Sequence, residues 1–298
     1  MEKGITAWVS GHIFPYLRPG DRGEVLLVSA SGIYLRFGQR IVLLCDESWG
    51  VLPIGIGVAD FERAVSLLRP MQDQPVTVTE QGLAFPSGGI CLMPREWSGT
   101  TVAASPQIRY IRQAAEELAA LRKERGISML VEPLVLRKAP ESFRKLNPYC
   151  AYGYYYLGNL MAALEGTDSA EIRSCVEKLL GLGPGLTPSA DDCLLGMLYV
   201  FRMLPREAPK GAALLRESVG QLCDGCTHPI SAAYLQAVIA GAPFERMDRV
   251  FAGLCGEEPL DIEKLTRIGS SSGGEMLLGM LIALKMCGYD AAQREELP

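Results

Sequence analysis

The period of the apolar pattern changes near residue 105, and that change constrains the fold more than any single motif. Before it, short runs rich in Val, Ile, Leu and Tyr occupy 24–29, 32–37 and 41–45. Ser31-Gly32 and Gly38-Gln39 separate them, pairs that accept the positive φ of tight hairpin turns. Residues 75–79, 83–85 and 90–93 continue the pattern, with Glu80-Gln81-Gly82 between the first two. Such strands predict a small antiparallel barrel or sandwich, interrupted by one helix over 60–68 with Asp60 as N-cap and Pro70 as stop. Ser98-Gly99-Thr100 and Ser105-Pro106 read as a linker. Beyond it, helices are expected over 108–125 (ended by Gly126), 152–164, 170–180, 189–203, 212–223, 229–240, 244–254, 261–268 and 273–287. The expected class is α+β: a β-rich N-terminal domain over 1–105, then a predominantly helical domain over 106–298.

Composition removes several function classes. A hydrophobic share of 48% with 21% charged residues describes a globular chain. The net charge of −5 argues against general nucleic-acid binding, which needs a basic face. Met1-Glu2-Lys3-Gly4 does not open a secretory leader, and no apolar run approaches the roughly 20 residues of a membrane span. A soluble, cytoplasmic protein is expected. Nine scattered cysteines do not form a secreted disulfide framework, so reduced, buried thiols follow.

An internal echo organises the helical half. Ser189-Ala190-Asp191-Asp192-Cys193-Leu194-Leu195-Gly196-Met197-Leu198 aligns with Ser272-Gly273-Gly274-Glu275-Met276-Leu277-Leu278-Gly279-Met280-Leu281. Each copy has Ser three positions before an acid, then Leu-Leu-Gly-Met-Leu one residue later. A repeated loop-to-helix unit suggests two helices packed about a pseudo-twofold relation, with Gly196 and Gly279 permitting close approach.

The strongest local signal is the loop 181–192, Gly-Leu-Gly-Pro-Gly-Leu-Thr-Pro-Ser-Ala-Asp-Asp. Its alternating glycines bring backbone N–H groups close to a ligand. Thr187 then Pro188 reads as N-cap and first helical residue; alternatively Ser189 is the cap, with Asp192 reaching back. Either way a helix N-terminus faces the loop and offers a carboxylate or phosphate a site. Leu186 stands where a P-loop requires Lys, and a helix precedes the loop where a Rossmann fingerprint requires a strand. Asp191 and Asp192 would repel a bare phosphate but accept from an amide or ureido NH₂, or hold a metal. In the second copy Ser272 and Glu275 suggest a capping box. The ligand-binding set is thus Gly183, Gly185, Thr187, Ser189, Asp191, Asp192, Ser271, Ser272 and Gly273, with His228 facing either solvent or the pocket. The loops are expected side by side around one pocket. Cys223-Asp224-Gly225-Cys226-Thr227-His228 lacks a second ligand pair for structural zinc, so no metal and no cofactor are assigned; Thr227 is expected to cap the helix at Pro229.

The glycine loop with its Asp-Asp resembles the hallmark of the AllH-like family, associated with oxamate carbamoyltransferase. Gly50-Val51-Leu52-Pro53-Ile54-Gly55-Ile56, Thr227-His228-Pro229-Ile230-Ser231 and Ile268-Gly269-Ser270-Ser271-Ser272-Gly273 support it. The family motif usually has Gly where this chain has Ala190, and a bulkier residue near Gly274. The resemblance implies a subunit of a multisubunit enzyme that converts oxalurate and phosphate to oxamate and carbamoyl phosphate. It also implies a small anionic substrate and partner subunits, and carries over no catalytic residues. A non-catalytic, small-carboxylate-binding or regulatory subunit is the alternative.

Overall fold

The computed structural model describes residues 5–29, 32–95, 97, 99, 102–121, 126–138 and 147–293. Met1-Glu2-Lys3-Gly4, Ser31, the linker residues Ser98 and Thr100, and the 122–125 end of the expected first long helix lie outside them. The chain divides into two compact units: residues up to 101 with Gly241–Asp248, and Val102–Ala240 with the residues from Arg249 onward.

The first unit is a closed barrel of eight strands: β1 (Ile5–Ser10), β2 (Arg22–Ser29), β3 (Gly32–Phe37), β4 (Arg40–Asp46), β5 (Gly55–Val58), β6 (Pro75–Thr79), β7 (Gly82–Phe85) and β8 (Gly88–Arg95). Their spatial order is β1-β5-β4-β3-β2-β6-β7-β8. Side chains alternate as a half-buried strand requires, so that Val76 and Val78, Leu83 and Phe85, Ile33 and Leu35, and Val42 and Leu44 share one core. Helix α1 (Phe61–Leu68) adds Ala64 and Leu68 to it. It starts where Asp60 accepts the Arg63 N–H at 3.2 Å, and ends at Arg69 in the left-handed region before Pro70.

Two features depart from the sequence reading. The barrel is not wholly antiparallel: β4 pairs parallel with β5, and β1 with β8. After β4 the segment 47–54 carries the chain back over, through a 3₁₀ turn at Glu47–Trp49, before β5 begins. Strands β1 and β5 were also not expected. In the Gly-Ile-Gly-Val of β5 two glycines offset the strand preference of Ile56 and Val58; it becomes a strand by pairing with β4 and β1.

The helical part comprises α2 (Ile108–Ala120), α3 (Val131–Leu134), α4 (Pro148–Glu165), α5 (Ser169–Leu179), α6 (Ser189–Met203), α7 (Ala212–Cys226), α8 (Pro229–Ile239), α9 (Glu245–Cys255), α10 (Glu263–Thr266) and α11 (Ser272–Met286). Helix α4 starts earlier than the apolar pattern indicates, because Asn147 accepts the Cys150 N–H at 2.9 Å and Pro148 opens the first turn. Helix α10 is a single turn rather than the expected 261–268. Among the described residues no helix is long and apolar enough to cross a membrane. All nine cysteines stand as free thiols, and burial pushes those of Cys45 and Cys255 up to about 12.

Helices α6 and α11 form the centre of the second unit. Every residue from Ser189 to Phe201 is buried, and every residue from Gly273 to Leu284. A helix apolar on all faces belongs inside a bundle. The two meet backbone to backbone. A Cβ on Gly279 would stand 1.9 Å from the Cys193 carbonyl oxygen, and one on Gly196 would stand 2.1 Å from that of Met276. Cys193 and Met276 are equivalent positions of the echo, as are Gly196 and Gly279. The contact is therefore reciprocal, as a pseudo-twofold packing demands.

Candidate functional site

Because α6 and α11 pair reciprocally, their N-terminal loops meet at one end. The Thr187 and Ser272 hydroxyls lie 2.9 Å apart. A cavity of about 410 Å³ opens there, lined among the described residues by Gly126, Asn147, Tyr149, Pro184, Gly185, Ser270 and Ser271. Gly183 and Gly185 adopt φ of 126° and 98°, conformations that an L side chain rarely takes. Gly185 has open space where a Cβ would be, whereas a Cβ on Gly183 would lie 2.5 Å from the Ser189 nitrogen. Substitution at Gly183 would therefore displace the loop itself; Gly185 is the position from which a side chain could fill the cavity.

Beneath these walls lies a buried polar layer. Ser189 is 1% exposed, Asp192 2% and Glu275 0%. Asp192 and Glu275 occupy equivalent positions in the two copies. Glu275 Oε1 accepts the Ile127 N–H at 3.1 Å, and a Cβ on Gly126 would collide with that same oxygen. The Ser189 hydroxyl and Asp192 Oδ2 are fully buried without a hydrogen-bond partner. Burial, and then the charge of Glu275, hold the Asp192 carboxyl well above the usual carboxylate range; the Ser272 and Thr187 hydroxyls work the other way. A buried polar atom left unpaired costs about 1–3 kcal/mol, so this layer is not explained by stability.

Asp191 behaves differently from its neighbour. Its Oδ1 accepts the Gly181 N–H at 2.8 Å; its Oδ2 accepts the Ser231 hydroxyl at 2.6 Å and the Thr227 hydroxyl. Burial pushes its carboxyl up from the usual carboxylate range, while these three donors oppose the shift. It thus ties the glycine loop to the start of α8, and both its oxygens are already engaged.

Several local expectations need correction. The N-cap of α6 is Pro188, without a side-chain cap, so neither Thr187 nor Ser189 caps it. Ser271 is the N-cap of α11, again without a side-chain bond, so Ser272 and Glu275 form no capping box. Their groups turn instead toward other segments, Ser272 to Thr187 and Glu275 to Ile127. His228 is the cap of α8, its Nδ1 accepting the Ile230 N–H at 3.2 Å, which leaves Thr227 for Asp191. Six amides of the two first turns are also engaged. Ala190 donates to Leu182, Asp191 and Asp192 to Pro188, Gly273 to Ile268, and Gly274 and Glu275 to Ser271. These six amides are therefore engaged within the fold. Among the described residues no group of three His, Cys, Asp or Glu side chains could hold a metal ion.

Sequence reasoning missed the wall formed by Gly126, Asn147 and Tyr149. The Asn147 amide donates to the Gly126 carbonyl at 2.8 Å, and the Cys150 thiol approaches the same oxygen at 3.2 Å. Asn147-Pro148 is a readable N-cap and first-turn pair, but nothing local in it points to the cavity.

Two pseudo-symmetric buried helices thus open from glycine- and serine-rich loops onto one cavity. Residues 179–284 match the model of the family described as oxamate carbamoyltransferase subunit AllH. The matched stretch runs from the end of α5 to near the end of α11 and so contains both copies of the echo. No solved structure matches the chain.

Proposed function

We propose that the chain is a subunit of an oxamate carbamoyltransferase-like enzyme, and that its helical domain (106–298) binds the ureido acid. The observation that carries this reading is the cavity between the two loops, backed by the buried, unpartnered Ser189 hydroxyl and Asp192 Oδ2. Those atoms suit a carbamoyl group, whose NH₂ donates to a carboxyl and whose carbonyl accepts from a hydroxyl. The hydroxyls of Ser270 and Ser271 suit a carboxylate end. Gly183, Gly185 and Thr187 shape the loop, while Asp191, Ser272 and Gly273 hold it in place. The reaction served is transfer of the carbamoyl group from the nitrogen of oxalurate to an oxygen of phosphate, giving oxamate and carbamoyl phosphate. Positioning supplies much of the rate in such a transfer.

The test is titration of the purified chain with oxalurate, oxamate and phosphate by ligand-observed NMR, followed by turnover with its partner subunits. Ser271→Ala should weaken oxamate binding about fivefold, the value of roughly 1 kcal/mol for one hydrogen bond. Gly185→Asn, the side chain best suited to positive φ, should intrude into the cavity and weaken binding about tenfold or more, while the unfolding midpoint falls by no more than about 1–2 °C, the equivalent of roughly half a kcal/mol of strain. Oxamate affinity unchanged in both variants would remove the cavity from the reading.

A further inference from the structure

We propose a second ligand site, separate from the first, for a small organic anion with an apolar body. At the other end of α6 a cavity of about 500 Å³ lies among the last turns of α6 and α8, the segment 205–210 and the first turn of α7. Its charged lining is Arg202, Lys210 and Arg216, and among the described residues that line it there is no acid. Phe201 and Val238 supply apolar wall. The volume falls in the range of small-molecule sites, roughly 300–1,000 Å³.

Three observations make this more than a basic patch. The guanidinium of Arg202 is held 5.3 Å over the ring of Tyr199, a fully buried residue, so the cation is placed and not swinging in solvent. Its Nε is buried with no hydrogen-bond partner, a donor that an anion in the cavity would satisfy. Ala212 and Ala213 belong to the first turn of α7, whose N-cap, Gly211, contributes no side-chain cap. The C-termini of α6 and α8 present carbonyl ends to the same space, but each is worth about half a charge at most, against three full positive charges. The balance favours an anion. Apolar walls beside that charge select a head group attached to a hydrophobic or aromatic body over a bare inorganic ion.

The experiment uses the full chain with phenyl phosphate, benzoate and inorganic phosphate as probes, followed by calorimetry and ligand-observed NMR. Phenyl phosphate or benzoate should bind saturably at about 1 mM or tighter, and whichever binds better identifies the head group. Either should bind at least tenfold more tightly than inorganic phosphate. Arg202→Gln should weaken binding about tenfold or more, and so should Arg216→Gln, whose exposed position leaves folding undisturbed. Gly185→Asn, which intrudes into the first cavity, should leave phenyl phosphate affinity unchanged, so that failure of the first site and failure of this one are told apart. Absence of saturable binding by all three probes overturns the proposal. So does affinity indifferent to both arginine substitutions, or inorganic phosphate binding as tightly as phenyl phosphate.

Discussion

Gly279→Ala is expected to destabilise the helical unit by about 3 kcal/mol or more, lowering its unfolding midpoint by roughly 10 °C. The added methyl would stand 1.9 Å from the Cys193 carbonyl oxygen, which is backbone and cannot rotate away. Relief requires α6 and α11 to separate, and both are buried along most of their length, so separation disturbs packing on every side. Gly196→Ala should act similarly, with its methyl 2.1 Å from the Met276 carbonyl oxygen. Because either substitution forces the same separation, the double variant should lose less than the sum of the singles. Gly158→Ala in α4 and Gly225→Ala in α7 are the controls. A Cβ at either meets nothing within 4 Å, so each should be neutral or stabilise by about 0.5–1 kcal/mol through helix propensity. Denaturant unfolding of the four single variants decides the matter. A Gly279→Ala protein as stable as its parent would mean that the helices are not in backbone contact.

The same two glycines show what was legible in the sequence. The echo gave the pairing of α6 with α11 because small residues at equivalent positions are a local record of a tertiary contact. The barrel was legible wherever its strands alternate, as in Pro75–Thr79, and not where β5 becomes a strand through distant partners. Capping failed as a guide at α6 and α11 for a related reason. Thr187, Ser272 and Glu275 have the chemistry of cap residues, but each makes its bond across segments that only the folded chain brings together. The wall at Gly126 and Asn147 was invisible on the same grounds.

Asp192→Asn is expected to stabilise the protein while weakening binding of a ureido acid, the opposite of what an ordinary buried acid would show. Asp192 is 2% exposed; the Ser272 and Thr187 hydroxyls bond to its carboxyl, but its Oδ2 has no hydrogen-bond partner, and Glu275, Asp191 and Cys193 face the same buried region. Burial, and then the charge of Glu275, push its native carboxyl well above the usual carboxylate range. A raised carboxyl binds its proton more tightly in the native than in the unfolded chain. Its contribution to stability is then fully present below about pH 4 and is lost as pH rises through the native value. The neutral amide carries no such penalty. Above the native value the variant should exceed the parent by about 1–3 kcal/mol, and the difference should shrink as pH falls toward 4. Asp191→Asn supplies the contrast. Its two oxygens accept from Gly181, Thr227 and Ser231, so an NH₂ placed there would face donors, and a loss of about 1–3 kcal/mol is expected. Thermal unfolding of both variants across pH, with oxalurate titration at one pH, separates the cases. If Asp192→Asn destabilises as Asp191→Asn does, or if its effect is independent of pH, then Asp192 is a paired structural acid and the buried layer is no binding surface. Stabilisation together with lost affinity would mark it as a group that the fold keeps at a cost, for a ligand.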